Sequence, residues 1–316
     1  MARDHYVPQF LLRNFHIPGK AGLIYSYRRN RRPREMSIRK VAQEEDYYDI
    51  KSDDPSMNKD MIDKLLFMSE DTAAPILNRL RTGSLQGLSN DEVANLSWFV
   101  GLLAYRTPAV RETIASINTG ISRREFKKML RTETEFEEIL KRHPDMSGET
   151  LGEVRRAFLA GDIVMDLKRG GQTEDFLMGQ QLQFAKNVVD FLQNRDWILG
   201  ETTCSLSFLI SDNPVVQMPV HGHPRDMGWG VANGHILFPI TPKRALLFVI
   251  SPESRDGLRL RQNIMPMRRA KMPELQFYII TQCRSAVYSH VLSKEFQRVL
   301  DSTEEGRAQT AYIPGA

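Results

Sequence analysis

Cysteine is scarce in this chain: Cys204 and Cys283 are the only two among 316 residues. Two thiols are too few for a disulfide framework or a cysteine-based zinc site, and they point to a reducing, intracellular compartment. Long apolar runs are missing as well. The longest, WFVGLLAY at 98–105, falls far short of the roughly 20 residues that span a bilayer. The opening MARDHYVP is polar and lacks the apolar core of a secretory signal. The expectation is a cytoplasmic protein that is not embedded in a membrane. Neither sign of charge dominates. Lys and Arg number 43 against 39 Asp and Glu, a formal net charge of +4, which permits an anionic partner without requiring one. Common catalytic signatures are absent too: no Walker A loop, no dinucleotide fingerprint after a strand, no His-Glu-x-x-His and no Gly-x-Ser-x-Gly elbow. Those gaps weigh against the P-loop, zinc-protease and serine-hydrolase classes.

What is present begins almost at once, with DHYVPQFLLRNF at residues 4–15. Pro8 suits the first turn of a helix, where its missing N–H has no partner to lose. Residues 8–15 therefore read as a short helix after an extended His5-Tyr6-Val7, with Gln9 and Arg13 four apart on one face. LIYSY (23–27) and EMSIRKVA (35–42) read as the strands of a hairpin with RRNRRPR at its tip. EEDYYDI adds another extended piece.

From about residue 58 the periodicity becomes helical, with Ile62, Leu66, Ala73, Leu77 and Leu80 on one stripe. A second helix starts with Ser89 as N-cap, is apolar nearly all round, and ends or kinks at Thr107-Pro108. Residues 110–141 read as a charged helix, HPDMSGET (143–150) as a loop, and 150–195 as two or three more helices. After Asp196 come short apolar β-rich runs, WILGE, SLSFLI, HILFPI and ALLFVI. ELQFYIITQCRSAVYSHV (274–291) reads as a closing helix despite its β-branched residues.

Strands at both ends with helices between give an α+β fold: one mainly antiparallel strand layer formed from the N- and C-terminal segments, with a large helical middle packed on it. We expect a single domain over 1–316, strand-rich over 1–57 and 196–250, helical over 58–195, with a closing segment over 251–316. Two separate domains are the alternative.

HYVPQFLLRNF resembles the start of a bacterial protein family catalogued as a domain of unknown function, whose members begin with a His-Tyr-Val-Pro-Gln-Phe signature. FLISDNPVV (208–216) is similar to that family's Ser-Asp-Asn-Pro segment, LFPITPKRALLF (237–248) to the strand pair after it, and SAVYSH (285–290) to its end. The resemblance implies that the two end segments belong to one fold. It supplies no reaction.

Several residues can carry chemistry. His5 can act as a base or metal ligand because an ordinary imidazole titrates near neutrality. Gln9 and Arg13 can orient an anion, Arg through paired hydrogen bonds to carboxylate or phosphate. The plainer role is to pin the terminal segment to the body. Asp212 and Asn213 follow an apolar strand and precede a proline, which suits either a turn or, at a strand end, a catalytic or metal-binding carboxylate in Asp212 beside a substrate contact in Asn213. Glu70 and Arg106 both fall on apolar helix faces, and a lone buried charge costs several kcal/mol. They pair with each other, line a cavity, or both. Arg28, Arg29, Arg31 and Arg32 lie in a tip that also contains Arg34 and holds no acid, with Tyr25 and Tyr27 beside it. It is a solvated turn or a grip on a phosphate backbone. Arg123, Arg124, Lys127 and Lys128 add further positive charge. Glu44, Glu45 and Asp46 read as a solvated edge. His221 and His223 sit in a Gly- and Pro-rich stretch without an evident third metal ligand, so that stretch reads as a long binding loop.

The resulting expectation is one polar pocket holding His5, Asp212, Glu70 and Arg106. His5 is base or ligand, Asp212 and Glu70 hold a water or a divalent cation such as Mg or Mn, and Arg106 and Arg13 stabilise negative charge. That set belongs to a metal-assisted phosphoester hydrolase or nuclease. The alternatives are a non-catalytic module that binds nucleic acid or protein, and a small-ligand sensor. Nucleic acid or another phosphate-bearing ligand is the expected partner.

Overall fold

The computed structural model describes residues 3–49, 59–131, 141, 148–160, 172–219, 234–250, 259–260 and 264–303. Its order is β1 (Arg3–His5), α1 (Gln9–Arg13), β2 (Leu23–Tyr27), β3 (Arg34–Ser37), a 3-10 turn (Ile38–Lys40), β4 (Gln43–Glu45), α2 (Lys59–Leu80), α3 (Asn90–Tyr105), α4 (Pro108–Arg131), α5 (Gly148–Ala160) and α6 (Gln172–Gln193). There follow β5 (Asp196–Glu201), β6 (Ile210–Ser211), β7 (Val216–Pro219), β8 (Gly234–Pro239), β9 (Arg244–Val249), β10 (Arg259–Leu260), β11 (Met265–Pro266), α7 (Met272–Thr281), β12 (Val287–Ser289) and α8 (Lys294–Ser302). The class is α+β, with a helical middle between strand-bearing ends. Among the described residues no helix is long and apolar enough to cross a membrane.

The expected single strand layer is instead three sheets. β1 pairs with β4 alone. The four-stranded sheet β3-β2-β12-β6 is the one that joins the two ends of the chain, because β12 lies antiparallel between β2 and β6. The third sheet runs β10-β5-β9-β8-β7, with β11 also on β5, and is built wholly from the C-terminal part. Among the described strands only β10 and β11 run parallel to their neighbour. In this third sheet HILFPI and ALLFVI are apolar at consecutive positions, the mark of a sheet covered on both faces. Trp197, Leu199, Ile236, Phe238, Leu246 and Phe248 enter one core cluster, while Leu237, Ala245 and Leu247 between them enter another. The hairpin reaches the same two cores from its own sheet, through Ile24 and Tyr27.

The first core includes much of α3, which is buried along most of its length, from Val93 to Tyr105. Ser89 caps that helix: its Oγ accepts from Glu92 N, and Glu92 returns a bond to Ser89 N. This reciprocal pair satisfies two N–H groups that an uncapped helix start leaves open. The second core lies beneath α7 and α8 with Met272, Ile279, Phe296 and Leu300. Two elements depart from expectation here. The segment expected as one closing helix splits into α7 and β12, and Asp212 explains the break between them, as shown below. EMSIRKVA forms a strand only to Ser37, whose Oγ accepts from Arg39 N and starts a 3-10 turn.

α3 meets α6 closely at Gly101. A Cβ there would stand 2.8 Å from the Ala185 carbonyl oxygen and 3.4 Å from Val189 Cγ2. Backbone cannot yield as a side-chain tip can, so Gly101→Ala is expected to cost about 1–3 kcal/mol in urea unfolding despite alanine's better helix propensity.

Candidate functional site

β1 fixes the first side chains by pairing His5 with Gln43, Asp4 with Glu44 and Arg3 with Glu45. Tyr6 N continues the ladder to Ala42 O at 3.1 Å, and Asp4 Oδ2 accepts from Tyr48 N at 3.2 Å. The chain then turns into α1. Pro8 sits just before this helix rather than in its first turn, and its carbonyl accepts from Leu11 N and Leu12 N. Leu11, Leu12 and Phe15 go to the core. That anchors the short helix and leaves Gln9 and Arg13 on the outer face.

Arg13 Nη2 donates to Gln9 Oε1 at 3.3 Å, and Gln9 Nε2 lies 3.5 Å from His5 Nδ1. With its oxygen engaged by Arg13, Gln9 turns its N–H₂ toward the imidazole. Nδ1 is then the acceptor, and the ring proton resides on Nε2. His5 Nε2 is sealed from solvent without a hydrogen-bond partner. Burial holds the imidazole below its ordinary pKa, outweighing the nearby Ile38 and Arg39 carbonyls and the Glu70 and Asp4 carboxylates, which favour the proton. A neutral ring with its lone pair toward Gln9 is the consequence. His5, Gln9 and Arg13, together with Arg3, Asp63 and Glu70, line an open pocket of about 450 Å³ between α1 and α2. A second cavity, of about 410 Å³, also opens on Gln9 and Arg13 and reaches Ser37 and Arg39.

Glu70 comes from α2, and its carboxylate pairs with Arg106 at 2.9 Å. Arg106 is 4% exposed, at the C-terminal end of α3. Its Nε donates to Tyr6 O at 3.0 Å. The expected pairing of these two charges is thus present, and one of them faces a cavity. Arg106 itself does not line the pocket. It is committed to Glu70 and to the backbone just after His5, which leaves it a positioning group, not an anion-binding one.

Asp212 does not join the set. It is 2% exposed, and its carboxylate accepts from Arg284 N at 2.9 Å, Ser285 N at 2.6 Å, Ser285 Oγ at 2.7 Å and Ala286 N at 2.9 Å. Burial pushes its pKa up, against those four bonds. With both oxygens engaged, it cannot share a cation with Glu70. Its work is to turn the chain out of α7 and into β12. Asn213 is also buried, with Nδ2 donating to Gln282 O at 3.2 Å, so it is a turn residue and not a substrate contact.

The hairpin arginines divide. Arg29 is turned inward: Nη1 donates to Arg284 O at 3.0 Å, Nε to Thr303 O at 3.3 Å. Arg28, Arg31 and Arg32 instead line a separate cavity of about 150 Å³ with Arg34. The edge residues Glu44 and Glu45 are paired, with Arg284 and Arg3. His221 and His223 lie outside the described residues.

Two arginines that sequence reasoning passed over are structural hubs. Arg111, 6% exposed, donates through Nε to Gln181 Oε1 at 2.9 Å and through Nη1 to Tyr47 O at 3.1 Å, with its guanidinium 3.7 Å from the Tyr47 ring centroid. Arg284 binds Glu44 at 3.0 Å and also Glu112. No local pattern marks Arg111, which lies in the first turns of a helix read as charged. Nothing local marks Arg284, whose partners lie 172 and 240 residues away.

The chain belongs to the DUF4238 family, described as a protein of unknown function; the family model matches residues 3–292. No curated protein and no solved structure matches it.

Two outcomes test these roles. Asp212→Ala strands three backbone N–H groups that Asp212 satisfies, and is expected to lower stability by about 3 kcal/mol or more, read by chemical denaturation. His5 gives a pH signature. Because folding depresses its pKa, the unfolded chain takes up a proton first as pH falls below about 6.5. The folded state therefore loses stability on acidification, and in His5→Gln the decline of unfolding free energy just below about pH 6.5 is expected to be shallower.

Proposed function

We propose that this DUF4238 protein binds a phosphate-bearing ligand in the pocket between α1 and α2 and hydrolyses its phosphoester, with His5 as general base. The observation that carries the reading is the neutral His5 imidazole, ordered by Gln9 and opening on the same cavity as Arg13 and Glu70. In this reading Arg13 binds the phosphate oxygens. Once the incoming ligand draws the Gln9 N–H₂ away from the ring, His5 Nδ1 takes a proton from water while the water oxygen bonds phosphorus. The bond to the leaving oxygen breaks, and the protonated ring returns its proton to that oxygen. Glu70, fixed by Arg106, orients the water through its carboxylate.

Among the described residues no three His, Cys, Asp or Glu converge as metal ligands, and the oxygens of Asp212 are engaged elsewhere. The engagement of Asp212 also favours a second reading, in which the pocket senses a small anion without chemistry.

The test is turnover of p-nitrophenyl phosphate, bis(p-nitrophenyl) phosphate and short single- and double-stranded DNA, in EDTA and in Mn²⁺. Turnover is expected, with kcat about a hundredfold or more lower in His5→Gln, and KM raised in Arg13→Ala. Full activity in His5→Gln removes His5 as base. No turnover by wild type under any condition removes hydrolysis, and anion binding that Arg13→Ala weakens then supports sensing.

A further inference from the structure

Strand alternation sorts charge on the β2–β3 hairpin. Ser26 is registered opposite Arg34, and Tyr25 opposite Glu35. Successive side chains point to opposite faces. One face therefore carries Ser26, Arg28, Arg34 and Met36. The other carries Tyr25, Glu35 and Lys20, where Glu35 accepts from Lys20 Nζ at 2.6 Å and from the Tyr25 hydroxyl at 3.4 Å. The hairpin's acid and its counter-charge thus lie together on the second face.

On the first face Arg28, Arg31, Arg32 and Arg34 surround a cavity of about 150 Å³ whose remaining walls are Ser26 and Met36. Among the described residues no carboxylate lines it. Asp301, an acid that reaches the tip, accepts from Asn30 N at 2.7 Å and Gln297 Nε2 at 2.7 Å. Like charges gathered around so small a volume repel one another, and a bound anion relieves that.

The tip is also held in place. Arg29 fastens it to Arg284 O and Thr303 O, and Gln297 Nε2 donates to Arg28 O at 2.9 Å. Asn30 occupies the left-handed region at φ 55°, which tightens the turn. The arginines are presented on a backbone braced by α8, so little ordering is lost when an anion arrives.

We propose that this arginine cavity is a phosphate-binding site, distinct from the pocket of His5. Guanidinium groups contact phosphate oxygens in pairs, which favours phosphate over a simple halide. The volume admits one or two phosphate groups and falls below the roughly 300 Å³ of a pocket for a whole small molecule. The phosphate is therefore either a free anion such as pyrophosphate or one group of a nucleic-acid strand whose remainder lies outside the cavity.

Two probes distinguish these sources: pyrophosphate by calorimetry, and a 3′-fluorescein single-stranded 12-mer by anisotropy across a salt series. Wild type is expected to bind at least one. The double variant Arg31→Ala/Arg32→Ala alters exposed side chains, so its melting temperature stays unchanged while binding weakens roughly tenfold or more, the scale of charged hydrogen bonds. Strand binding that falls with salt by about 0.7 log units per log unit for each phosphate contacted identifies a backbone site. Binding of pyrophosphate alone identifies a free-anion site. Arg13→Ala, which removes the phosphate contact of the other pocket, leaves binding at the arginine cavity in place. The proposal is overturned if wild type binds neither probe, if the double variant binds undiminished, or if Arg13→Ala loses binding equally. Failure of turnover in the other pocket leaves these measurements untouched.

Discussion

The guanidinium of Arg106 sits at the end of a helix that offers it almost nothing polar, and it is withdrawn from solvent. A charge in that position costs several kcal/mol unless neutralised and hydrogen-bonded. Its two partners come from opposite directions: Glu70 from α2, and the carbonyl of Tyr6 from the chain just past β1. The requirement to satisfy one buried cation thus brings the N-terminal segment against the helical middle. The cavity between α1 and α2 exists because of that closure. Glu70 is held at its wall by the same ion pair, and His5 is held one residue before the bonded carbonyl. Removing Glu70 would leave the cation uncompensated, whereas removing His5 would leave the closure in place. The two residues share a pocket but stand differently toward the fold.

At the other end of the chain a buried anion has the corresponding part. Asp212 gathers three consecutive backbone N–H groups after α7 and one hydroxyl. That directs residues 287–289 into the gap between β2 and β6, where they complete the sheet that unites the N- and C-terminal segments. Arg284 reinforces the join, since its backbone serves Asp212 while its side chain reaches Glu44 beside β1 and Glu112 on α4. Arg29 closes the same region from the hairpin side, through the Arg284 carbonyl. A run of local charges reads as solvated edge or basic tip in one dimension. In three dimensions much of it is the wiring between ends.

How far the sequence could disclose this follows from the range of each interaction. Ser89 and Glu92 announce the start of α3 because the capping box is completed within four residues. The inward placement of Glu70 and Arg106 follows from helical period, and the cost of burying either charge makes a pairing legible before any coordinates. Gln9 and Arg13 group together because four-residue spacing carries them along one side of α1, whereas His5 reaches them from the end of β1, which spacing does not announce. Asp212 misleads for the opposite reason. A carboxylate after an apolar strand looks the same whether its oxygens face a cavity or the N–H groups of residues 72–74 positions later, and only tertiary structure separates the two. The sheet division misleads in a similar way. Consecutive apolar residues in HILFPI and ALLFVI say that both faces are covered, but not that the cover on each face belongs to a different core. The hairpin arginines were legible as a group and illegible as individuals, because which guanidinium turns inward depends on α8, more than 260 residues away.

The placement of the His5 pocket on a seam has a thermodynamic consequence. Its walls belong to two parts of the chain, α1 and α2, joined through the Glu70–Arg106–Tyr6 bridge and through the core packing of Leu11, Leu12 and Phe15, while β1 adds a short ladder to β4. Local opening of such a join requires less free energy than global unfolding. Docking of the N-terminal segment strips water from His5, and burial holds its imidazole below the ordinary pKa. Docking and the protonation of one histidine are therefore two readings of a single equilibrium, and acidification works against both, because a proton on His5 favours the open, hydrated seam. The ligand proposed for this pocket would couple to the same equilibrium by mass action.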